Sequence, residues 1–253
     1  MSNDENCDRH STNDSLLSTC WTLIQGAAAG DCTAREEFAR LYQPVILMFL
    51  KSRWAKNLNN FNLDDAMQDV FVDCFKINGA LQRWEPGREG GFRGFLYGIV
   101  RNVARRHEEN RQPVVPLDHD HEADHTGAET AFDRAWATSL MKQAARNMAE
   151  QAQNVDRNTT EQKAFESELN MDLAAQGRAM RRVTLLKKRF NQNQPIREIA
   201  IEWQVDAAWL HHEYATARQE FHAALMRVIA FHYPNTNQAE QAAICQSLLE
   251  SLG

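Results

Sequence analysis

Apolar residues in this chain recur at intervals of three and four almost from end to end, and strict strand-like alternation is nearly absent. That periodicity confines the fold to helices packed on helices. Glycine and proline are sparse, 11 and 6 of 253 residues, so long helical runs are seldom interrupted. The fold class expected is all-α.

The most informative stretch is Phe92 to Arg106, FRGFLYGIVRNVARR. Phe92, Phe95, Leu96, Ile99, Val100 and Val103 form one apolar stripe. Arg93, Tyr97, Arg101 and Arg105 follow at four-residue steps on the opposite face. Guanidinium groups suit phosphates and an aromatic ring suits base stacking, so this outer face has the chemistry of a single-stranded nucleic-acid surface. An ordinary solvated face fits the same helix equally well.

Residues 1–14 are polar and read as a disordered N-terminus. A first helix is expected from Ser15 through Leu23 and Ile24, broken by Gly26 to Asp31. A second follows from Thr33, and Pro44 is expected to kink or divide it. The next helix, opening after Asn62, turns Leu63, Met67, Val70, Phe71, Cys74 and Phe75 to one side. Asp65, Gln68, Asp69, Val72 and Asp73 lie on the other. An acidic face with an apolar valine in its midst suits docking of a basic protein partner. Ala80 to Gly91 reads as a loop exposing Arg83, Trp84 and Arg88.

Pro113 and Pro116 stop the organising helix, and residues 111–128 read as an acidic linker. Asp118, His119, Asp120, His121, Asp124 and His125 could ligate a metal, but no neighbouring scaffold would fix their geometry, so solvated linker is the better reading. A second helical unit is expected from Glu129, with Phe132, Trp136, Leu140 and Met148 as its stripe. Residues 150–170 are weakly patterned. A basic amphipathic helix follows, with Arg178, Arg181, Arg182, Lys187, Lys188 and Arg189 around Val183, Leu185 and Leu186. Two further helices, Ile196 to Trp203 and a longer one carrying Leu210, Tyr214, Ala217 and Phe221, flank a short break at Gln204 to Asp206. Small Ala200 sits where they would cross, which is the pattern of a helix-turn-helix, with an ordinary helical hairpin as the alternative.

The chemistry of an enzyme is missing from the pattern. No nucleophile–base spacing, phosphate-cradling glycine loop or HExxH stands in the sequence. No catalytic residue, metal or cofactor is expected. The five cysteines are scattered with no CxxC. No apolar run approaches a membrane span and no leader pattern opens the chain, so a cytoplasmic protein without membrane contact is expected. A net charge of −6 argues against whole-surface DNA binding and leaves room for local basic patches.

Taken in order, these segments resemble a bacterial RNA polymerase sigma factor of the extracytoplasmic-function (ECF) class. DDAMQDVF resembles that family's E-D-hydrophobic-hydrophobic-Q-E-V-F segment, and FRGFLYGIVRN its F-R-A-W-L-Y-x-I-A-R-N segment. EIA and the later ATAR resemble its upstream-promoter domain at Glu198, Ile199, Ala200, Ala217 and Arg218. The resemblance implies two helical domains joined by a flexible linker, the second containing the helix-turn-helix. A region 2-like domain would span residues 15–110 and a region 4-like domain 129–233, followed by a tail at 234–253. The implied partners are core RNA polymerase, through its β′ clamp helices and β flap, and promoter DNA; the class also admits an anti-sigma factor.

By the same resemblance and the helical faces, Asp65, Gln68, Asp69, Val72 and Asp73 would bind core polymerase. Trp84, Arg88, Phe92, Arg93, Tyr97, Arg101, Asn102, Arg105 and Arg106 would recognise and melt the −10 element. Ala208, His211, His212, Ala215, Arg218 and Gln219 would face the −35 element, with Arg178 to Arg189 adding phosphate contacts. Two departures stand out. The turn carries Gln204 where the family usually has glycine, and His211 and Glu213 stand where Lys or Arg is common. Two other readings stay open: a polymerase-independent helix-turn-helix regulator, and a sigma-like polymerase-binding module without promoter recognition.

Overall fold

The computed structural model describes residues 22–85, 88, 90–110, 121–158, 177–233 and 236–251. Among these no strand occurs, and the chain is all-α. It divides into two compact units, one of residues up to Leu140 together with those from Val228, the other from Met141 to Arg227. The disordered segment expected at 1–14 lies outside the described residues.

The first unit opens with four helices. Residues 22–29 form α1, which runs past Gly26 and stops at Gly30, where φ is +100°. Helix α2, Cys32–Arg53, starts on Asp31, whose side chain accepts from the Ala34 amide at 2.7 Å. Contrary to expectation, Pro44 leaves α2 continuous. Pro44 is exposed, while Phe38, Leu41, Tyr42, Val45, Ile46, Phe49 and Leu50 are buried. Burying each such side chain is worth about 1.5–3 kcal/mol, against roughly 3 kcal/mol for one interior proline.

Helix α3, Leu63–Phe75, opens on Asn62, which accepts from the Asp64 and Asp65 amides. It buries Ala66, Val70 and Cys74. A single 3-10 turn at Leu81–Arg83 leads towards α4, Gly91–Glu109. Helix α4 buries Phe92, Leu96, Val100, Val103 and Ala104. At its far end Glu108 accepts from Arg53 Nε and Nη2 at 2.7 and 2.8 Å and from Trp54 Nε1 at 2.9 Å. This fork fixes the end of α4 against the end of α2.

Helix α5, His121–Asn158, begins inside the segment expected to be linker. Residues 111–120 lie outside the described residues. The second departure is where α5 packs. Phe132 and Trp136, expected in the second domain, are fully buried in the first unit. Trp136 stacks on Tyr42 at 5.8 Å, and Phe132 meets Phe49 and Tyr97 edge-on at 6.2 and 5.3 Å. An apolar stripe announces burial without naming the partner, so sequence alone put these rings in the wrong core.

In the second unit, α6, Arg178–Asn191, is capped from α5: Asp156 accepts from the Ala179 and Met180 amides at 3.3 and 3.0 Å. Helix α7, Ile196–Trp203, meets α8, Ala207–His232, across three residues. Leu185, Ile196, Ile199, Ala200, Trp203 and Leu210 form their shared core. Gln204 adopts the left-handed conformation usual for glycine, φ 55° and ψ 42°, and Asp206 accepts from the Trp209 amide at 2.8 Å.

The last residues of α8 return to the first unit. His232 is fully buried, meeting the rings of Trp136 at 5.1 Å and Phe92 at 6.4 Å. Burial pushes its pKa down to about 3, so it is neutral at pH 7. Helix α9, Gln238–Glu250, closes the described chain and opens on a capping box between Asn237 and Glu240.

Gly91 makes the return possible. Its φ is +59°, and an added Cβ would stand 2.8 Å from the His232 carbonyl oxygen and 3.3 Å from the Tyr233 ring. Gly91→Ala should therefore destabilise the protein by more than about 2 kcal/mol, through left-handed strain and displacement of Tyr233. Urea denaturation followed by tryptophan fluorescence measures this, since Trp84 and Trp136 lie beside the affected contact.

Candidate functional site

The outer face of α3 is half apolar and half acidic. Val72 is 57% exposed and borders a shallow open groove lined by Gln68, Phe71, Phe75 and Lys76. Ile77, just past the helix, is 87% exposed. Asp65 and Gln68 are exposed on the same face. Asp69 is also exposed and shares a 2.9 Å hydrogen bond with His107 Nε2. Sequence reading assigned Phe71 mainly to the core; it lines the groove. Its neighbours Phe75 and Ile77 add apolar surface that the acidic pattern concealed.

Asp73 is placed differently from the rest. It accepts from Lys76 Nζ and pairs with Arg106 Nη2, each at 2.8 Å. Burial raises its pKa, but the bonds from Lys76 and Arg106 outweigh burial and hold the carboxyl below the ordinary 3.8. Asp73 and Arg106, expected on two separate binding surfaces, are partners that join α3 to α4. Cys74 beside them is buried, its thiol pushed up to about 12, first by burial and then by Asp73.

The expected cationic, aromatic face of α4 is split in two. Around Arg93 and Tyr97 it is covered by α5. Arg93 donates to Asp133, with Nε at 2.7 Å, and lies over the Phe132 ring at 5.9 Å. Tyr97 is wedged edge-on between Phe49 and Phe132. Burial raises its pKa, with Glu129 adding to the effect and Arg101, Arg53 and Arg93 opposing it. Trp84 and Phe92 correct the expectation more sharply. Trp84 is buried and packs edge-on against Phe92 at 5.2 Å, and Phe92 is fully buried. Neither ring is placed to stack on a base.

The C-terminal half of α4 stays open. Arg101, Asn102 and Arg105 are exposed, and among the described residues Arg105 makes only a surface pair with Glu109 at 3.4 Å. Phe95 is half-buried beneath Arg88, whose guanidinium lies 5.6 Å from the ring.

In the second unit, Ala208, His211, His212, Ala215, Arg218 and Gln219 are all exposed on α8. Arg218 lies over the Tyr214 ring at 5.9 Å. The basic helix α6 does not present the free cations expected of it. Glu213 is buried and accepts from Arg178 Nη2 at 2.6 Å and Arg182 Nε at 2.8 Å. Arg182 also pairs with Glu220, and Lys188 donates to Glu202 at 2.6 Å. Arg181 is buried. Among the described residues, exposed Lys187 makes no ion pair, and half-buried Arg189 bonds only to Asn193, at 3.4 Å.

In the sequence Glu213 stands out only as occupying a place where Lys or Arg is common, and its burial was not expected. Its position offered a signal: it continues the stripe Leu210, Ala217, Ala224 at helical spacing, and Arg178 and Arg182 stand one turn apart on α6. Two convergent guanidiniums are what a carboxylate on a buried stripe requires.

Among the described residues no group of His, Cys, Asp and Glu could hold a metal ion. Of the histidine–aspartate cluster, Asp118, His119 and Asp120 lie outside the described residues, as do the side chains of His121, Asp124 and His125. No described helix is long and apolar enough to cross a membrane. No protein-family model, curated protein or solved structure matches the chain.

The Glu213 cluster gives a pH dependence. Burial raises this carboxyl, but hydrogen bonds from Arg178 and Arg182 win and hold it below 4.5. A depressed folded pKa stabilises above the unfolded value, and that contribution is lost as pH falls through the folded one. The second unit should thus weaken in acid below about pH 4.5. Glu213→Gln should cost about 2–4 kcal/mol at pH 7 and flatten that acid limb. Chemical denaturation from pH 3 to 7, comparing the two proteins, tests both effects.

Proposed function

We propose that the protein acts as an ECF-type sigma factor, binding core RNA polymerase through α3 and directing it to promoter DNA. The observation that carries this reading is the outer face of α3. A valine more than half exposed stands among Asp65, Gln68 and Asp69, beside an apolar groove. Burying such a patch against a basic partner gains apolar area and charge complementarity together. On this reading Phe71 and Phe75 belong to the same docking surface, while Asp73 supports it from behind.

The cations Arg101 and Arg105, with Asn102, would contact the −10 element, and Phe95 under Arg88 would be the aromatic nearest the opened strand. In the second unit, α7, the turn at Gln204–Asp206 and α8 would form the helix-turn-helix. Its exposed His211, His212 and Gln219 would meet base edges of the −35 element. The second unit would then be the upstream-promoter domain of a two-domain protein. No chemistry is assigned to the chain itself; the polymerase supplies it.

The burial of Trp84 and Phe92 favours one variant of this reading. A chain whose principal aromatics are in its core stacks fewer extruded bases, as a polymerase-binding module without promoter opening would. Run-off transcription with core polymerase, on duplex and premelted templates, separates the two. Transcripts from duplex templates support the sigma reading; core binding with no duplex transcription supports the module.

Asp65→Arg with Val72→Arg should weaken binding to core polymerase at least tenfold without loss of helicity, because both side chains are exposed. Unchanged affinity in a fluorescence titration would remove α3 as the docking helix. Arg101→Ala with Arg105→Ala should lower the salt slope of holoenzyme–promoter binding by about two, one per lost phosphate contact. Arg182→Ala should leave that slope nearly unchanged, since its guanidinium is already held by Glu213 and Glu220.

A further inference from the structure

Gly98 lies in the middle of α4, on the open stripe that carries Arg101, Asn102 and Arg105 three, four and seven residues on. A Cβ added there meets nothing within 4 Å, so packing within the protein does not require glycine. It has no turn to make, since α4 is helical on both sides of it and its φ lies outside the left-handed range. A mid-helix glycine lowers stability relative to alanine, and here the fold gains nothing in return. Gly91 in the same helix provides the contrast, because there a Cβ would strike the His232 carbonyl oxygen.

We infer that Gly98 is a close-approach position, where the phosphodiester backbone of single-stranded promoter DNA passes against the backbone of α4. Three observations single out nucleic acid as the occupant. Arg101 is exposed and makes no ion pair among the described residues, so its charge is available to a phosphate. Asn102 offers an exposed amide beside it, which can donate to phosphate oxygens or to base edges. Arg105 adds a second exposed cation one turn on, its surface pair with Glu109 being readily exchanged for a phosphate. Without a side chain at 98, a strand held by these groups can reach the helix surface itself, and every one of their contacts shortens. This inference rests on the sigma reading and names a positioning residue within it.

The test uses Gly98→Ala and Gly98→Leu in the full chain, assembled with core polymerase. Both variants should fold, and Gly98→Ala should melt a few degrees higher than the parent. Affinity of the holoenzyme for a premelted promoter template should fall about tenfold for alanine and further for leucine, with affinity for core polymerase unchanged. The inference is overturned if the leucine variant binds the premelted template as tightly as the parent. A parallel loss of core affinity also overturns it, because a protein surface would then cover Gly98. If the parent itself directs no transcription with core polymerase, the sigma reading fails and takes this inference with it; failure of the inference alone requires an active parent.

Discussion

Phe92 is the contact on which the first unit depends. It is fully buried, and its ring meets Phe38, Tyr42, Trp84, Phe95, Trp136 and His232, at 5.2 to 6.4 Å. Those partners come from α2, the 80–84 turn, α4, α5 and the end of α8. Aromatic pairs add about 0.5–1.5 kcal/mol each beyond the area they bury. A single side chain thereby ties together segments separated by most of the sequence.

The surfaces follow from this arrangement. Because α5 lies over α4 around Arg93 and Tyr97, these two serve the fold, and the open cations begin at Arg101. Because Arg106 and His107 turn towards α3, Asp73 and Asp69 on the acidic face of that helix are engaged from behind, and Asp65 has no ion pair among the described residues. The second unit follows the same rule. Carboxylates on α7 and α8 pair with Arg178, Arg182 and Lys188, half of the six cations of α6, and Arg181 is buried, so a helix that is basic in sequence presents less free charge than its composition suggests.

Much of this was legible in the sequence where the controlling interactions are local. Asn62 as a cap, the stripe through Leu96 and Val100, the short break at Gln204 and the outward set on α8 follow from spacing within one helix. What could not be read involves partners far apart. Trp84 looked exposed because it sits between turn residues, yet its ring is covered by Phe92. Phe132 and Trp136 looked like the start of a new domain because a proline-containing acidic stretch precedes them, yet their rings meet residues of α2 and α4. The burial of Glu213 depends on two arginines some thirty residues earlier, which no pattern within its own helix shows. The groove around Val72 falls between these cases, since its acidic rim is local in sequence and its apolar floor depends on how α3 ends.

The return of α8 to Gly91 has a consequence for how the chain is made. The first unit is discontinuous: residues 141–227, which form the second unit, are synthesised between its two parts. Helices α1 to α4 are made before the second unit, but the face of Phe92 and Trp136 that receives His232 stays uncovered until the residues from Val228 have left the ribosome. Closing so long a loop is entropically slow, and exposed aromatic surface in the interval invites association. The second unit, by contrast, is one continuous stretch and can fold as soon as it appears. The unit that begins first is thus the one whose last contact can form only after the other has been made.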